Sequence, residues 1–424
     1  MLLPRNRRLT RAAALGVSAA GLAAALTACG HSGVSGVGGA CTTSVPGVTP
    51  TEVKAGMIWN DSGGGAGSTR SFRGGVDARL HVVNEEDGGV YGRKITYAWR
   101  DDEGDGSLDV PMVEELLDQE KVFGLINSPS SGQGSAKLLQ DRNIPVTGVA
   151  SDPVWLGMNN MFSWFYFGRG SSTTQGRYIH DQGGTRAALI LSGQSYDAQV
   201  EASLRANNVQ VVNRFHVGEV TSYQTVAQQI KASNIDAITG ALFPDVAAQL
   251  LPELAKIGVT LGGSLKVVVM PLGYDASNLT RYGRAIAGVS IMTATQPFEL
   301  KTPGQQRFLQ AMSNYAPEVQ PPAQDLAVGG WISTDLFIRG LQAAGKCPTR
   351  ESFISGLRAV KNYDGAGLAP DTSIDLSTNY RDTSTCYYFI KVSKDGSAFE
   401  PVDTDGVCGD VISPEQVAAL NQPS

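Results

Sequence analysis

Polar residues that could hold a small molecule follow two neighbouring predicted strands. Ser130 and Ser131 come directly after one apolar run of strand length, and Ala150 and Ser151 follow the next one. Because a predicted helix joins the two runs, the strands should be parallel, which places both loops at the same edge of the sheet. Open α/β sheets bind their ligands at this carboxyl edge. We therefore expect these four residues to line one wall of a small-molecule site, although every doubly wound protein has loops of this kind.

The residue types that catalysis needs are not arranged as a catalytic site. The four histidines, His31, His81, His180 and His216, are far apart in the sequence, and none has a metal-ligand partner at close spacing. The stretch GQSYD lacks the last glycine of a hydrolase nucleophile elbow, and no phosphate-binding Gly-Lys-Ser/Thr loop occurs. The sequence therefore predicts a protein that is not an enzyme and that uses no metal and no cofactor.

Apolar runs of strand length alternate with amphipathic helices along most of the chain. The run 53–59, for example, is followed by a loop rich in glycine and serine. A helix comes next, in which Phe72, Val76, Leu80 and Val83 recur at helical spacing. Alternation of this kind predicts an α/β fold built on a parallel sheet.

The amino-terminal residues have the three-part layout of a secretion signal. Four arginines precede an apolar run rich in alanine and leucine. The residues before Cys29 resemble the lipobox of bacterial lipoproteins, which implies cleavage before Cys29 and attachment of a lipid to it. We therefore expect a signal peptide over 1–28 and a flexible tether over 29–50. The mature chain should lie outside the cytoplasm, anchored to the cell membrane by its lipid.

Charge and cysteine content are compatible with that location. Of 34 basic residues, removal of the signal's four leaves 30 against 40 acidic ones, a net charge of −10. This argues against nucleic acid as a partner, because phosphate binding needs a basic face. Besides Cys29, four cysteines remain: Cys41, Cys347, Cys386 and Cys408. An even number in an oxidising compartment predicts two disulfides, for which three pairings are possible.

Several landmarks of the first half follow one another in a distinctive order. Asn84 ends a predicted helix, Gly92 and Arg93 follow a glycine-rich turn, and Asp101 and Asp102 end a predicted strand. This order resembles the type I periplasmic binding proteins, which include the leucine/isoleucine/valine-binding proteins of ABC importers. The stretch MFSWFYFGR matches the place where that family's chain first crosses to its second lobe. The order and spacing carry the resemblance, rather than any single motif.

The resemblance implies an α/β fold of two Rossmann-like lobes, each with a parallel-centred sheet, joined by a three-strand hinge. The implied boundaries are 51–160 and 297–375 for lobe I, 161–296 and 376–410 for lobe II, and 411–424 for a C-terminal tail. Each disulfide should then stay within one lobe and leave the hinge free. The resemblance therefore favours the pairs Cys41–Cys347 and Cys386–Cys408.

The resemblance also implies which residues contact the ligand. In the family, first-lobe loops hold a carboxylate through hydroxyl and backbone amide groups, and second-lobe loops complete the site. The residues implied here are Ser130, Ser131, Ala150, Ser151, Tyr196, Phe243, Asp245 and Trp59. Tyr196 could lay its ring over the ligand and Asp245 could meet an ammonium group, whereas helix capping is an equally good role for Asp245. For Trp59, packing in the core is the alternative.

These features predict a monomeric, lipid-anchored solute-binding protein. It would capture a small polar ligand, such as an amino acid or a similar carboxylate or amide, by hinge closure. Its partner would be the permease of an ABC importer. A sensory binding protein that signals to a membrane receptor is the alternative, and a secreted α/β hydrolase is a third and poorer one.

Overall fold

The structure is a computed structural model. The expectations for the signal peptide, for the lipid on Cys29 and for Ser130 and Ser131 fall outside the residues that it describes. The described residues are 41, 43–62, 66–128, 134–192, 195–216 and 222–422.

Strands and helices alternate along the described chain, as expected. The strands are β1 (Glu52–Trp59), β2 (Lys94–Asp101), β3 (Leu125–Asn127), β4 (Val146–Gly148), β5 (Met161–Phe162), β6 (Ser171–Ser172), β7 (Arg186–Leu191), β8 (Gln210–His216), β9 (Ala237–Gly240), β10 (Val267–Met270), β11 (Ser290–Thr293), β12 (Cys386–Val392), β13 (Phe399–Pro401), β14 (Val407–Cys408) and β15 (Val411–Ile412). The helices are α1 (Ala66–His81), α2 (Asp109–Asp118), α3 (Ala136–Asp141), α4 (Thr174–Asp181), α5 (Ser195–Ala206), α6 (Tyr223–Ala232), α7 (Pro244–Lys256), α8 (Ala276–Tyr282), α9 (Pro303–Tyr315), α10 (Asp325–Ala344), α11 (Arg350–Arg358) and α12 (Pro414–Leu420).

The first sheet is parallel, with the strand order β2-β1-β3-β4-β5. Alternate residues of β1 enter opposite cores: Met57 packs with α1, α9, α10 and α11, and Ile58 packs with α2 and α3. Helices from late in the chain therefore return to cover one face of the first sheet. β5 also belongs to this sheet, and its residues Met161 and Phe162 are fully buried in the cores on either side. The first sheet therefore extends beyond the boundary expected at residue 160.

Helices α1 and α10 pack against each other at close range because glycines lie at their contact. A Cβ atom on Gly75 would lie 1.9 Å from the Ala327 carbonyl oxygen. One on Gly330 would lie 2.0 Å from the Phe72 carbonyl oxygen. Any side chain at either position would force the helices apart.

The second sheet has the strand order β13-β12-β11-β10-β9-β7-β8. Strands β7 to β11 are parallel, whereas β12 runs antiparallel to β11, and β13 and β14 pair antiparallel with β12. The segment expected as a C-terminal tail is folded onto this half: β15 pairs with β6, and Ile412 and Val417 pack with Ala202 of α5.

The structure holds both expected disulfides, Cys41–Cys347 and Cys386–Cys408. The first ties the chain just before β1 to the segment after α10. The flexible tether was expected to extend to residue 50, but the folded part begins earlier, since Val45 and Val48 pack against the core of the first sheet. The Lys54 amide also donates a hydrogen bond of 2.7 Å to the Gly47 carbonyl. The glycine and serine residues nearby suggested that this segment is flexible. The apolar contacts and the disulfide instead hold it against the fold.

The chain passes between the two sheets three times, after β5, after β11 and before β12. The first and third passages pair through their backbones: the Ser384 amide donates to the Tyr166 carbonyl at 2.9 Å, and the Tyr166 amide donates to Ser384 Oγ at 3.0 Å. The second passage is tied to the first by Trp164, whose Nε1 donates to the Ala294 carbonyl at 3.1 Å. The three passages therefore form one connected hinge.

Candidate ligand-binding site

The carboxyl edges of the two sheets face each other across the hinge. In the first sheet, Ala150, which follows β4, bridges to Tyr166 of the first passage. In the second sheet, β11 ends at Thr293 and leads directly into the second passage, while Asp275 after β10 pairs with Gln324 before α10. Loops at these edges are where doubly wound sheets bind ligands, so the candidate site lies between them.

Ala150 and Ser151 of the predicted first wall differ in what they offer a ligand. Ala150 is fully buried; its amide donates to Ser163 Oγ at 3.3 Å and its carbonyl accepts from the Phe167 amide at 2.8 Å. Both backbone groups of Ala150 are therefore used by the hinge. Ser151 is exposed to solvent at this edge. Of the pair, Ser151 is the one placed to meet a ligand.

The side chain of Trp59, at the end of β1, packs against its neighbours and is not exposed at the edge of the sheet. Its side chain is 4% exposed, and its Nε1 donates to the Thr69 carbonyl at 3.1 Å. Its ring meets Trp99 edge-on at 5.7 Å, and the Arg73 guanidinium lies 5.3 Å from the ring centre. The structure thus places Trp59 in the core role that was its alternative, and a contact with ligand stays untested.

Asn127 is a candidate that the sequence did not point to. It ends β3, between the loops after β1 and β4, and is fully buried. Among the described residues, neither its amide nitrogen nor its amide oxygen has a hydrogen-bond partner. An unsatisfied buried polar group costs about 1–3 kcal/mol, so Asn127 is poised to gain from a polar partner. Its position at a strand's carboxyl end was the only available signal.

The first edge also carries a tightly held acidic turn. Asp101 accepts hydrogen bonds from the amides of Asp61, Ser62 and Glu103, at 3.0 to 3.3 Å, and from Ser62 Oγ at 2.7 Å. Burial opposes ionisation of Asp101, but these hydrogen bonds outweigh it, and the pKa of the carboxyl lies below its usual value. Asp101 therefore fastens the loop after β1 to the loop after β2.

Of the second-lobe candidates, Phe243 and Asp245 are exposed, whereas the phenol oxygen of Tyr196 is buried. Phe243 precedes α7, Asp245 lies in the first turn of that helix, and both are exposed at the edge. The N-cap residue of α7 is Phe243 rather than Asp245. Tyr196 packs against the second core with its phenol oxygen buried, and burial raises the pKa of the phenol. Its ring lies 5.8 Å from that of Phe167.

A half-buried carboxyl group lies where the second passage meets α10. Asp325, the first residue of α10, accepts hydrogen bonds from the hydroxyls of Thr293 and Thr295. Burial raises the pKa of Asp325 above its usual value, although the two threonine hydroxyls act in the opposite direction. The carboxyl group at this point of the hinge therefore ionises less readily than that of an ordinary aspartate.

Among the residues that the structure describes, no set of three or more His, Cys, Asp or Glu side chains is placed to hold a metal ion. No helix in the described ranges has the length and apolar character needed to cross a membrane.

Two sheets with facing loop edges and a three-passage hinge define a protein that closes around a ligand. The chain belongs to the periplasmic binding protein family, whose sequence model matches residues 52–397. This confirms the resemblance seen in the sequence. It also makes the chain a binding protein rather than an enzyme, with an extracytoplasmic location. No curated protein matches the chain.

Solved structures with the same fold come from several bacteria. The branched-chain amino acid transporter binding protein LivJ of Streptococcus pneumoniae, in complex with isoleucine, is 16% identical, with 83% of this chain and 99% of that chain covered and a TM-score of 0.67. The fatty acid ABC transporter substrate-binding protein of Thermomonospora curvata is 17% identical, covering 86% and 94%, with a TM-score of 0.67. An R. palustris ABC transporter solute-binding protein in complex with benzoate is 17% identical, covering 85% and 98%, with a TM-score of 0.66. These likenesses confirm the predicted α/β fold with two lobes.

Proposed function

We propose that this protein is a lipid-anchored solute-binding protein that captures a small carboxylate-bearing ligand and delivers it to an ABC importer. The observation that carries the proposal is the pair of facing carboxyl edges joined by three passages of the chain. Ser151 on one edge and Asp245 on the other are both exposed. A ligand that bridges such edges stabilises the closed form and shifts the population toward it.

The ligand's carboxylate would meet the first lobe. Ser130, Ser131 and Ser151 would offer hydroxyl groups there, and the amide of Asn127 would provide a further donor behind them. In the second lobe, Asp245 would accept a hydrogen bond from an amino group if the ligand has one. The structural relatives bind isoleucine in one case and benzoate in another, so both amino acids and aromatic acids belong among the candidates.

The anchor and the partner complete the proposal. Cleavage before Cys29 and attachment of a lipid there would hold the protein at the outer face of the cell membrane. From that position it would meet the permease of an ABC importer as a monomer.

A thermal-shift screen tests the proposal most directly. A ligand that binds only the folded state stabilises it by about 2.7 kcal/mol at ~100 times its Kd, which is visible as a rise in melting temperature. Amino acids, aliphatic acids and aromatic acids form the panel, and sugars and polyamines form the contrasting set. A rise confined to carboxylate-bearing ligands supports the proposal. A rise only with the contrasting set, or with none of the compounds, contradicts it.

A further inference from the structure

Three cations lie at the amino edge of the first sheet, which is the edge remote from the cleft. Arg93 directly precedes β2, and Lys121 lies before β3 at the same end of the sheet. Lys346 follows α10 and adjoins the first disulfide. Among the described residues none of the three forms an ion pair, whereas the neighbouring Lys94 pairs with Glu85 at 2.8 Å.

Tyr91 lies beside these cations and is 49% exposed. It forms a tight turn with Gly92, across which the backbones of Val90 and Arg93 exchange hydrogen bonds of 2.9 and 3.1 Å. The φ of Tyr91 is +49°, a conformation that bulky residues rarely adopt. Its hydroxyl donates to the Gln342 carbonyl at 2.9 Å, in the last turn of α10. The turn therefore holds an aromatic ring at the surface, next to the end of α10.

The disulfide Cys41–Cys347 brings these parts of the chain together. Nη2 of Arg93 lies 3.7 Å from Sγ of Cys41. Between the disulfide and β1, a Cβ atom on Gly47 would lie 2.9 Å from the Lys121 carbonyl oxygen. The result is one continuous surface, which we call the basic edge and which consists of Tyr91, Arg93, Lys121 and Lys346.

Acidic side chains near the basic edge already have partners of their own. Three of them form ion pairs at 2.5 to 3.6 Å, namely Glu85 with Lys94, Asp87 with Arg307 and Glu120 with Lys54. Glu52, at the start of β1, accepts a hydrogen bond from the Thr96 hydroxyl. The cations of the basic edge are therefore left uncompensated, although the mature chain as a whole is acidic.

The basic edge is also the part of the fold closest along the chain to the proposed anchor. Cys41 is the first residue that the structure describes, and Cys29 precedes it by twelve residues. Twelve residues span at most about 40 Å when fully extended. A lipid on Cys29 would therefore keep the basic edge close to the headgroups of the membrane, whereas the carboxyl edge lies a further strand length away.

We propose that the basic edge rests on anionic phospholipid headgroups of the membrane that carries the anchor. This rests on the lipid anchoring in the proposed function. Each Lys or Arg near an anionic surface raises the affinity for it about fivefold, and an amphipathic tyrosine ring suits the headgroup layer. The carboxyl edges of the two sheets face each other, so this contact holds the first lobe against the membrane and leaves the second lobe free to move.

Hydroxyl-radical footprinting of the protein purified with its lipid tests this. The protein is reconstituted on vesicles of phosphatidylcholine alone and on vesicles that also contain phosphatidylglycerol. Modification of Tyr91 is expected to fall several-fold on the anionic vesicles only, and to recover in about 1 M salt, where the Debye length is about 3 Å. Leu272, which is 58% exposed in the loop after β10, reports on the opposite edge and should be modified equally on both. Equal modification of Tyr91 on both vesicles, or equal protection of Leu272 and Tyr91, overturns the proposal.

Matched charge variants identify the residues involved. Lys121→Gln combined with Lys346→Gln is expected to lower the ratio of protected to unprotected Tyr91 on anionic vesicles about 25-fold. Both lysines are exposed, so the double variant should fold. Lys266→Gln combined with Lys394→Gln is the control: it removes the same charge at the amino edge of the second sheet, because Lys266 precedes β10 and Lys394 follows the antiparallel β12. Equal losses in the two double variants overturn the assignment.

Failure of this inference can be told apart from failure of the anchor. Sedimentation with vesicles in about 1 M salt reports on the lipid, because salt screens the basic edge and does not extract a lipid chain. If the protein stays with the vesicles but Tyr91 is modified equally on both kinds, the inference is wrong and the anchor stands. If the protein leaves the vesicles at high salt, both are wrong, while the thermal-shift screen still decides solute binding.

Discussion

Replacement of Arg358 should reveal how firmly the hinge is attached to the first lobe. Arg358 ends α11, and its buried guanidinium has no carboxylate partner among the described residues. It donates instead to four backbone carbonyls, those of Met158 at 3.1 Å, Asn159 at 3.0 Å, Met161 at 2.6 Å and Leu376 at 2.8 Å. Its charge also lies 3.9 Å from the ring centres of Phe162 and Tyr380. One side chain therefore fastens the segment that leads into the first passage and the segment that leads toward the third.

The expected cost of Arg358→Met follows from these contacts. Hydrogen bonds to a charged group contribute about 1.5–3 kcal/mol each, and removal of one partner of a buried charged network costs about 3–5 kcal/mol. Burial of the Arg358 charge is itself unfavourable and lowers the pKa of the guanidinium. Arg358→Met removes this cost, which offsets part of the free energy lost with the four hydrogen bonds. We expect a net loss of about 4 kcal/mol in the free energy of unfolding. Arg358→Lys keeps the charge but not the planar fork, and about half that loss is expected.

Urea unfolding followed by circular dichroism measures this loss. Arg142→Met is the matched control, because Arg142 is an exposed arginine that pairs with Asp118 and Glu114, and such surface pairs contribute less than about 1 kcal/mol. If Arg358→Met costs no more than Arg142→Met, the four carbonyl contacts do not hold the hinge and the reasoning is wrong.

Three further predictions concern pH, anchoring and the ligand. Burial raises the pKa of Asp325 in the folded state, so the folded protein keeps a proton that the unfolded chain loses above pH ~4. The free energy of unfolding of the wild type should therefore fall as the pH rises from ~4 to the pKa of Asp325 in the folded state. Melting curves of Asp325→Asn should lack this fall. Cys29→Ala should release the protein from the membrane fraction, and continued membrane association would rule out a lipid on Cys29. Asp245→Asn should weaken binding of amino acids by about 1–3 kcal/mol and leave acids without an amino group unchanged, as measured by calorimetry; equal effects on both would remove Asp245 from the ammonium role.

The sequence predicted the order of strands and helices well because that order depends on local pattern. The strand predicted over 53–59 is β1, and the helix after it is α1. Where the pattern failed, a tertiary contact decided. The apolar run 237–243 suggests a strand to Phe243, but β9 ends at Gly240, which has a φ of +103°. A Cβ atom there would lie 2.2 Å from the Ile190 carbonyl oxygen.

The start of α10 shows the same limit. The sequence predicts a helix over 330–344. The helix instead begins at Asp325 and includes Gly329 and Gly330, because Gly330 lies at the close contact with Phe72 of α1. A glycine required by packing and a glycine that ends a helix look alike in one sequence.

Side-chain direction was the least predictable property of the site. Trp59 and Tyr196 were identified from their places near strand ends, which says nothing about whether a ring turns outward. The structure packs both against core residues. Leu272 shows the opposite case: it directly follows the apolar stretch VVVMP and looks like a core residue, yet it is the most exposed of the large apolar side chains described.

The disulfide between Cys41 and Cys347 determines how the folded protein would respond to mechanical load. A pull on the chain from its amino-terminal side reaches Cys41 before it reaches the packed Val45 and Val48. Without the bond, that pull would peel residues 45–50 away and then unzip β1 from the sheet one hydrogen bond at a time. With the bond, the load passes through Cys347 into the connection between α10 and α11, and the strand is bypassed.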